Sequence, residues 1–254
     1  MNFESTEQIE SLNERGVSLE STAEPISDVS ENLGDAESTE ELHSKIEVLE
    51  SYSPVEYSEC VYDAEVKENI ADFLESYEDF RYENWSKLSL EQKQQVLQNA
   101  ECYIAQIEHR PAKFVQLEQM PKPGIMGYQD EYRNKIALNS DIVGHDGMEA
   151  YRKTIETLLH EGRHAYQHYN IEVRMIHESG AEVESWRENY FNRNYGYYHS
   201  QGQKIYIPTQ EGYRTMDDYR LYYYQPVEID ARNFASDVMS KLEAKGIVQS
   251  ARYA

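Results

Sequence analysis

Residues 155–170 read IETLLHEGRHAYQHYN, and their centre, HEGRH, holds three side chains able to do chemistry together. On a helix, residues four apart lie one above the other on the same face. His160 and His164 therefore offer two imidazoles to one tetrahedral ion, the geometry that zinc adopts. Glu161 stands about 100° round the same helix, near enough to hold a water on that ion without ligating it. Such a set points to metal-assisted hydrolysis. The competing reading is a solvated polar face on which two histidines happen to flank a glutamate. Placing His160 at 0° on a helical wheel puts Tyr151, Ile155, Leu158, Ala165 and Tyr166 between about 140° and 240°. That arc is the core face, and His160, His164, Thr157 and Glu161 look away from it. A histidine that merely fills the core is therefore disfavoured.

A hydrolytic zinc site takes three protein ligands and keeps one position open. His168 extends the histidine stripe, but eight residues of helix rise about 12 Å, too far for His168 to share one ion with His160. The extended metzincin pattern asks for Gly at 167 and His at 170, whereas this sequence has Gln167 and Asn170, so that class is excluded. The last helix offers a better candidate. Its sequence QPVEIDARNFA places Glu228 three residues before Ala231, with Phe234 and Ala235 following. This resembles the E-x-x-A pattern on the second active-site helix of the gluzincin metallopeptidases, including the ImmA/IrrE-type enzymes, and GYQDEYRNKIALN upstream resembles their strand segment beside the cleft. The resemblance covers roughly residues 112–244 and is specific at the two short motifs.

The resemblance implies a zincin-like core, one zinc per chain, and hydrolysis of a protein or peptide substrate. His160, His164 and Glu228 would be the ligands and Glu161 the general base. Two features depart from the pattern: Arg232 stands where many relatives carry Asp or Asn, and the 64 positions from His164 to Glu228 imply an insertion. Asp230 is a rival ligand, since it flanks the apolar stripe of Val227, Ala231, Phe234 and Val238 on the side opposite Glu228. Ala231 and Ala235 lie nearer Glu228 and would let that side approach the motif helix. Glu228 is therefore the preferred ligand, and Asp230 the partner that orients a ligand histidine. Ten of the 22 tyrosines fall between Tyr190 and Tyr224. Packing of a polar insertion accounts for them; alternatively they wall a peptide cleft, or donate to a developing oxyanion. Tyr223 and Tyr224, just before the Glu228 helix, are best placed for that, and His177 and His199 are further candidates.

These side chains need a scaffold. Val66, Ile70, Phe73 and Leu74 share one helical stripe. Ser89, with Gln92 three residues on, opens a second helix whose apolar positions repeat at three and four before Pro111. KFVQLEQM alternates, and two strands around a polar turn are expected within residues 124–143. The motif helix follows over about Met148–Tyr169. Residues 171–225 give no clear pattern beyond KIYIP, a short strand, and Pro226 opens the last helix, which ends before Gly246. The order reads as α+β.

Composition bounds the rest. The net charge is −23, and residues 1–60 hold sixteen Asp/Glu against two Lys/Arg. With no Trp and one Phe there, residues 1–58 read as an acidic disordered tail, and residues 59–254 as the catalytic domain. An acidic balance argues against nucleic acid and anionic membrane surfaces as partners. No apolar run approaches a membrane span, and the first residues show no Sec signal. Two lone cysteines fit a reducing cytoplasm. A scaffold that binds without cleaving, and an exported toxin or effector protease, are the alternatives; the intact Glu161 speaks against the first.

Overall fold

The computed structural model describes residues 60–122, 124–191, 204–209, 212–217 and 219–248. The acidic segment 1–58 and His199 lie outside them. The architecture is mixed α and β, mostly helical with a small three-stranded sheet and a separate two-stranded hairpin. Helix α1 (Asp63–Ser76) buries Val66, Ile70 and Leu74 as the spacing requires. A one-turn helix α2 (Tyr82–Trp85) delivers Trp85 to the core. Helix α3 (Leu90–Ile107) starts at a full capping box, with the Ser89 hydroxyl accepting from the Gln92 amide and the Gln92 side chain accepting from the Ser89 amide.

Three strands follow: β1 (Phe114–Glu118), β2 (Gly127–Asp130) and β3 (Lys135–Asn139). Their order is β1-β3-β2. Strand β3 is central, parallel to β1 and antiparallel to β2. The β2–β3 turn closes with Asn134 at φ 51°, a left-handed position that asparagine tolerates. Residues 140–143, expected within the second strand's segment, instead form a single turn, α4 (Ser140–Val143), because the Asn139 side chain accepts from the Asp141 amide and caps it.

The motif helix α5 runs from Met148 to Glu172. Tyr151, Ile155, Leu158, Ala165 and Tyr166 are buried as the wheel requires, but so are Glu161, Arg163, His164 and Gln167 on the opposite side. The polar face is not solvated. Edge strand β2 covers part of it, and a Cβ on Gly127 would lie 2.7 Å from both the Ala137 carbonyl oxygen and Thr157 Cγ2, so the close approach of strand to helix depends on glycine there. Behind the motif, Gly162 leaves room for the buried Arg110, which hydrogen-bonds Glu101 and Glu108.

Residues 171–225 hold more regular structure than their sequence suggests. They contain α6 (Gly180–Phe191), a hairpin of β4 (Lys204–Thr209) with β5 (Gly212–Asp217), and the short α7 (Tyr219–Tyr223). Strand β4 includes KIYIP. The final helix, α8 (Pro226–Ala244), packs along α5, and its Ala231 and Ala235 are buried. Gly246 follows at φ 76°, the left-handed exit expected of a C-terminal glycine.

Candidate metal centre

Helix α5 presents His160 and His164 one turn apart, and α8 presents Glu228 in its first turn, where Pro226 fixes the start and an acidic side chain complements the helix dipole. The three meet. The two Nε2 atoms are 3.1 Å apart, His160 Nε2 lies 3.4 Å from Glu228 Oε2, and His164 Nε2 lies 3.4 Å from Glu228 Oε1. A tetrahedral ion with bonds of about 2.0–2.1 Å spaces its ligand atoms about 3.3 Å apart. Two imidazoles and a carboxylate at these separations can hold a metal ion, and the donor set suits zinc.

The electrostatics fit the same role. Burial works against the Glu228 charge, yet hydrogen bonds from both histidines hold its carboxyl far below the usual range. Burial also disfavours charging His164, but its hydrogen bond to Glu228 and the nearby charges of Glu228 and Glu161 outweigh that and raise it to about 9. Glu161, 8% exposed, is pushed up by burial and by the Glu228 charge, while the two histidines and the Gln129 backbone amide pull the other way.

A pH dependence follows. In the metal-free protein His164 keeps its proton below about pH 9, and a metal must displace it. Metal affinity is therefore expected to rise about tenfold per pH unit up to about pH 9 and to level off there. The raised pKa also stabilises the metal-free fold fully below about pH 6.5, the ordinary histidine value, and that stability is lost as pH rises through about 9. Chelator competition and thermal melts across this window check both trends. A pH-independent affinity would show that no such proton is displaced.

A series of hydrogen bonds holds His164 in place. In the tautomer that leaves Nε2 to a metal, Nδ1–H donates to Gln167 Oε1 at 2.8 Å. Gln167 Nε2 donates to the Val227 carbonyl at 2.9 Å and to Asp230 Oδ2 at 2.7 Å. Asp230 in turn pairs with Arg163, whose other edge grips Asp63 at the start of α1. Asp230 thus reaches the ligand histidine through Gln167 and does not touch it. It lies outside the group of three candidate ligands. The Tyr190 hydroxyl lies 3.3 Å from His164 Nδ1 and donates to Gln167 at 3.2 Å.

A cleft of about 1270 Å³ opens over the three side chains, lined by β2, by Lys153 and Thr157 of α5 and by several tyrosines. Tyr190, Tyr219, Tyr222 and Tyr223 line it; Tyr224, 60% exposed, does not. His168 lies on the cleft wall with its ring 4.4 Å from that of Tyr190, and is no member of the ligand group. His177 lies outside the cleft lining, buried between the Tyr166 hydroxyl and Glu182, which argues against its donating to an oxyanion there. Sequence reasoning did not single out Gln167, Arg163 or Tyr190 as parts of the site.

Comparison of the sequence and fold with family models, with curated proteins and with solved structures finds no match in any of the three. Among the described residues no helix is long and apolar enough to cross a membrane.

Proposed function

We propose that the protein is a zinc-dependent metallopeptidase with a zincin-like core similar to the gluzincins, acting on protein or peptide substrates. The observation that carries this reading is the ligand triangle of His160, His164 and Glu228 with the buried carboxyl of Glu161 beside it. Zinc held there would supply Lewis acidity, bringing a water's pKa toward neutrality and polarising a carbonyl. Glu161 would take the proton from the attacking water as its oxygen bonds to the carbonyl carbon. It would then pass that proton to the amine nitrogen as the C–N bond breaks. Burial raises the Glu161 carboxyl in the metal-free protein, and a carboxylate whose pKa lies nearer the working pH accepts a proton more readily in the first step. Gln167 and Tyr190 would hold the His164 ring in register. A cytoplasmic setting fits two cysteines that remain free thiols, Cys60 exposed and Cys102 buried.

Elemental analysis and a peptide library with mass-spectrometric readout test the proposal together. Purified protein is expected to hold one zinc per chain and to cleave library peptides. Near-stoichiometric zinc in the His160→Ala/His164→Ala double variant would remove the basis of the reading. Full zinc with no cleavage in a diverse library would instead favour a scaffold that binds without hydrolysing.

A further inference from the structure

Arg232 follows Glu228 by four residues on α8, so its guanidinium lies one turn along the same face and joins the cleft lining. Its position is fixed from two sides. The guanidinium carbon lies 3.6 Å from the centre of the Tyr223 ring, and Nη2 donates to the Tyr223 carbonyl. Nη1 lies 3.9 Å from Glu228 Oε2, beyond hydrogen-bonding distance, and among the described residues this is the only ion pair Arg232 makes. Other arginines of the protein are engaged differently. Arg110, Arg152 and Arg163 each hydrogen-bond two protein carboxylates. Among the described residues Arg232 hydrogen-bonds none, although acidic residues outnumber basic ones 47 to 24.

A guanidinium has five N–H donors in a planar fork that matches a carboxylate. The Tyr223 carbonyl occupies one, and the others belong to a side chain that lines the cleft. Once Glu228 shares its charge with a metal, the cation beside it has no other counter-charge within 4 Å among the described residues. The overall charge of −23 does not cancel this locally, because exposed charges are screened beyond about 8 Å at physiological salt. Rotamer entropy has already been lost to the Tyr223 contacts, so binding an anion costs little further ordering.

We propose that Arg232 is a carboxylate anchor of the cleft. On the peptidase reading above, on which this rests, it selects substrates with a carboxylate within about one residue of the scissile bond. The scale follows from the geometry: one extended residue spans about 3.3–3.6 Å, comparable to the 3.9 Å that separates Arg232 from the ligand carboxylate. The carboxylate has two chemical sources, the C-terminus of a peptide or an Asp/Glu side chain.

Binding and cleavage test the anchor separately. Zinc-loaded full-length protein is titrated calorimetrically with succinate and with succinamate, in which one carboxylate is a neutral amide. Succinate is expected to bind about tenfold tighter or better, and the ratio to fall to about one in Arg232→Gln with zinc content unchanged. Arg232→Lys keeps the charge but loses the fork, and should restore only part of the ratio. A ratio near one in the unaltered protein overturns the anchor, whatever the variants do; so does a full ratio in a zinc-loaded Arg232→Gln protein. In the peptide library, a loss on C-terminal amidation assigns the terminal carboxylate, and a loss on replacing Asp or Glu by Asn or Gln assigns a side chain. Cleavage indifferent to both overturns the substrate preference. Discrimination in favour of succinate without any cleavage keeps the anchor and removes the peptidase reading.

Discussion

Glu161→Gln is expected to keep the fold and the zinc while lowering kcat by about 10²–10⁴-fold. The amide matches the carboxylate in shape, so a site that leaves this residue 8% exposed accommodates it without a new cavity. Zinc should stay because Glu161 lies outside the ligand group of His160, His164 and Glu228. What the amide cannot do is accept the water's proton. That transfer belongs to the transition state, so kcat and kcat/KM should fall together while KM moves little. Steady-state kinetics with elemental analysis of the same preparation decide the matter. A zinc-loaded variant that cleaves at nearly the normal rate would remove Glu161 from the mechanism.

Local rules made part of this site legible. The four-residue interval puts His160 and His164 on one face, and α5 is the helix that the interval presumes. Glu228 was reached from the resemblance of its segment to the E-x-x-A pattern, with two small residues on its flank of α8 favouring it over Asp230, and Ala231 and Ala235 are buried. Other parts depend on packing that no local pattern encodes. Wheel arguments read the side of α5 bearing Glu161 and His164 as the face away from the core. In the structure that side is also enclosed, because β2 lies over it through Gly127. Arg163 sits between the two motif histidines, where its sequence position says nothing. Its burial becomes intelligible only once Asp63 and Asp230, 100 and 67 residues away, converge on it. Helix α6 was similarly hidden. Its buried positions Val183, Trp186 and Asn189 follow a three-residue interval, but the last is polar and no apolar stripe emerges. Tyr190, which that helix brings to His164, was hidden with it.

The structure sharpens the contrast between Glu228 and Asp230 into two different phenotypes. Glu228→Ala leaves two imidazoles for the metal. A closed four-ligand zinc site binds with about 10–16 kcal/mol. Dividing that over its ligands gives about 3–4 kcal/mol for one of them, or a loss of about 100- to 1,000-fold in affinity. The metal-free Glu228→Ala protein should also lose the partner that raises His164, so its zinc affinity should vary less steeply between pH 7 and 9. Asp230→Ala acts elsewhere. It frees Gln167, which then holds the His164 ring less firmly, and a loss of about tenfold is expected, the lower end for groups that orient a ligand. Its larger effect falls on the fold, because Arg163 is fully buried and loses one of its two carboxylates. Breaking a buried pair from one side costs about 3 kcal/mol, and Asp63 alone then compensates the guanidinium. Glu228→Ala removes the partner of His164, whose contribution to the metal-free fold is lost as pH rises through about 9, so near that pH its denaturation midpoint should fall less than that of Asp230→Ala. Chelator competition ranks the affinities, and urea unfolding of the metal-free proteins ranks the stabilities. The two rankings should run in opposite directions. If Asp230→Ala empties the site while Glu228→Ala retains zinc, the ligand is Asp230, and α8 must turn about its axis to bring it to the histidines.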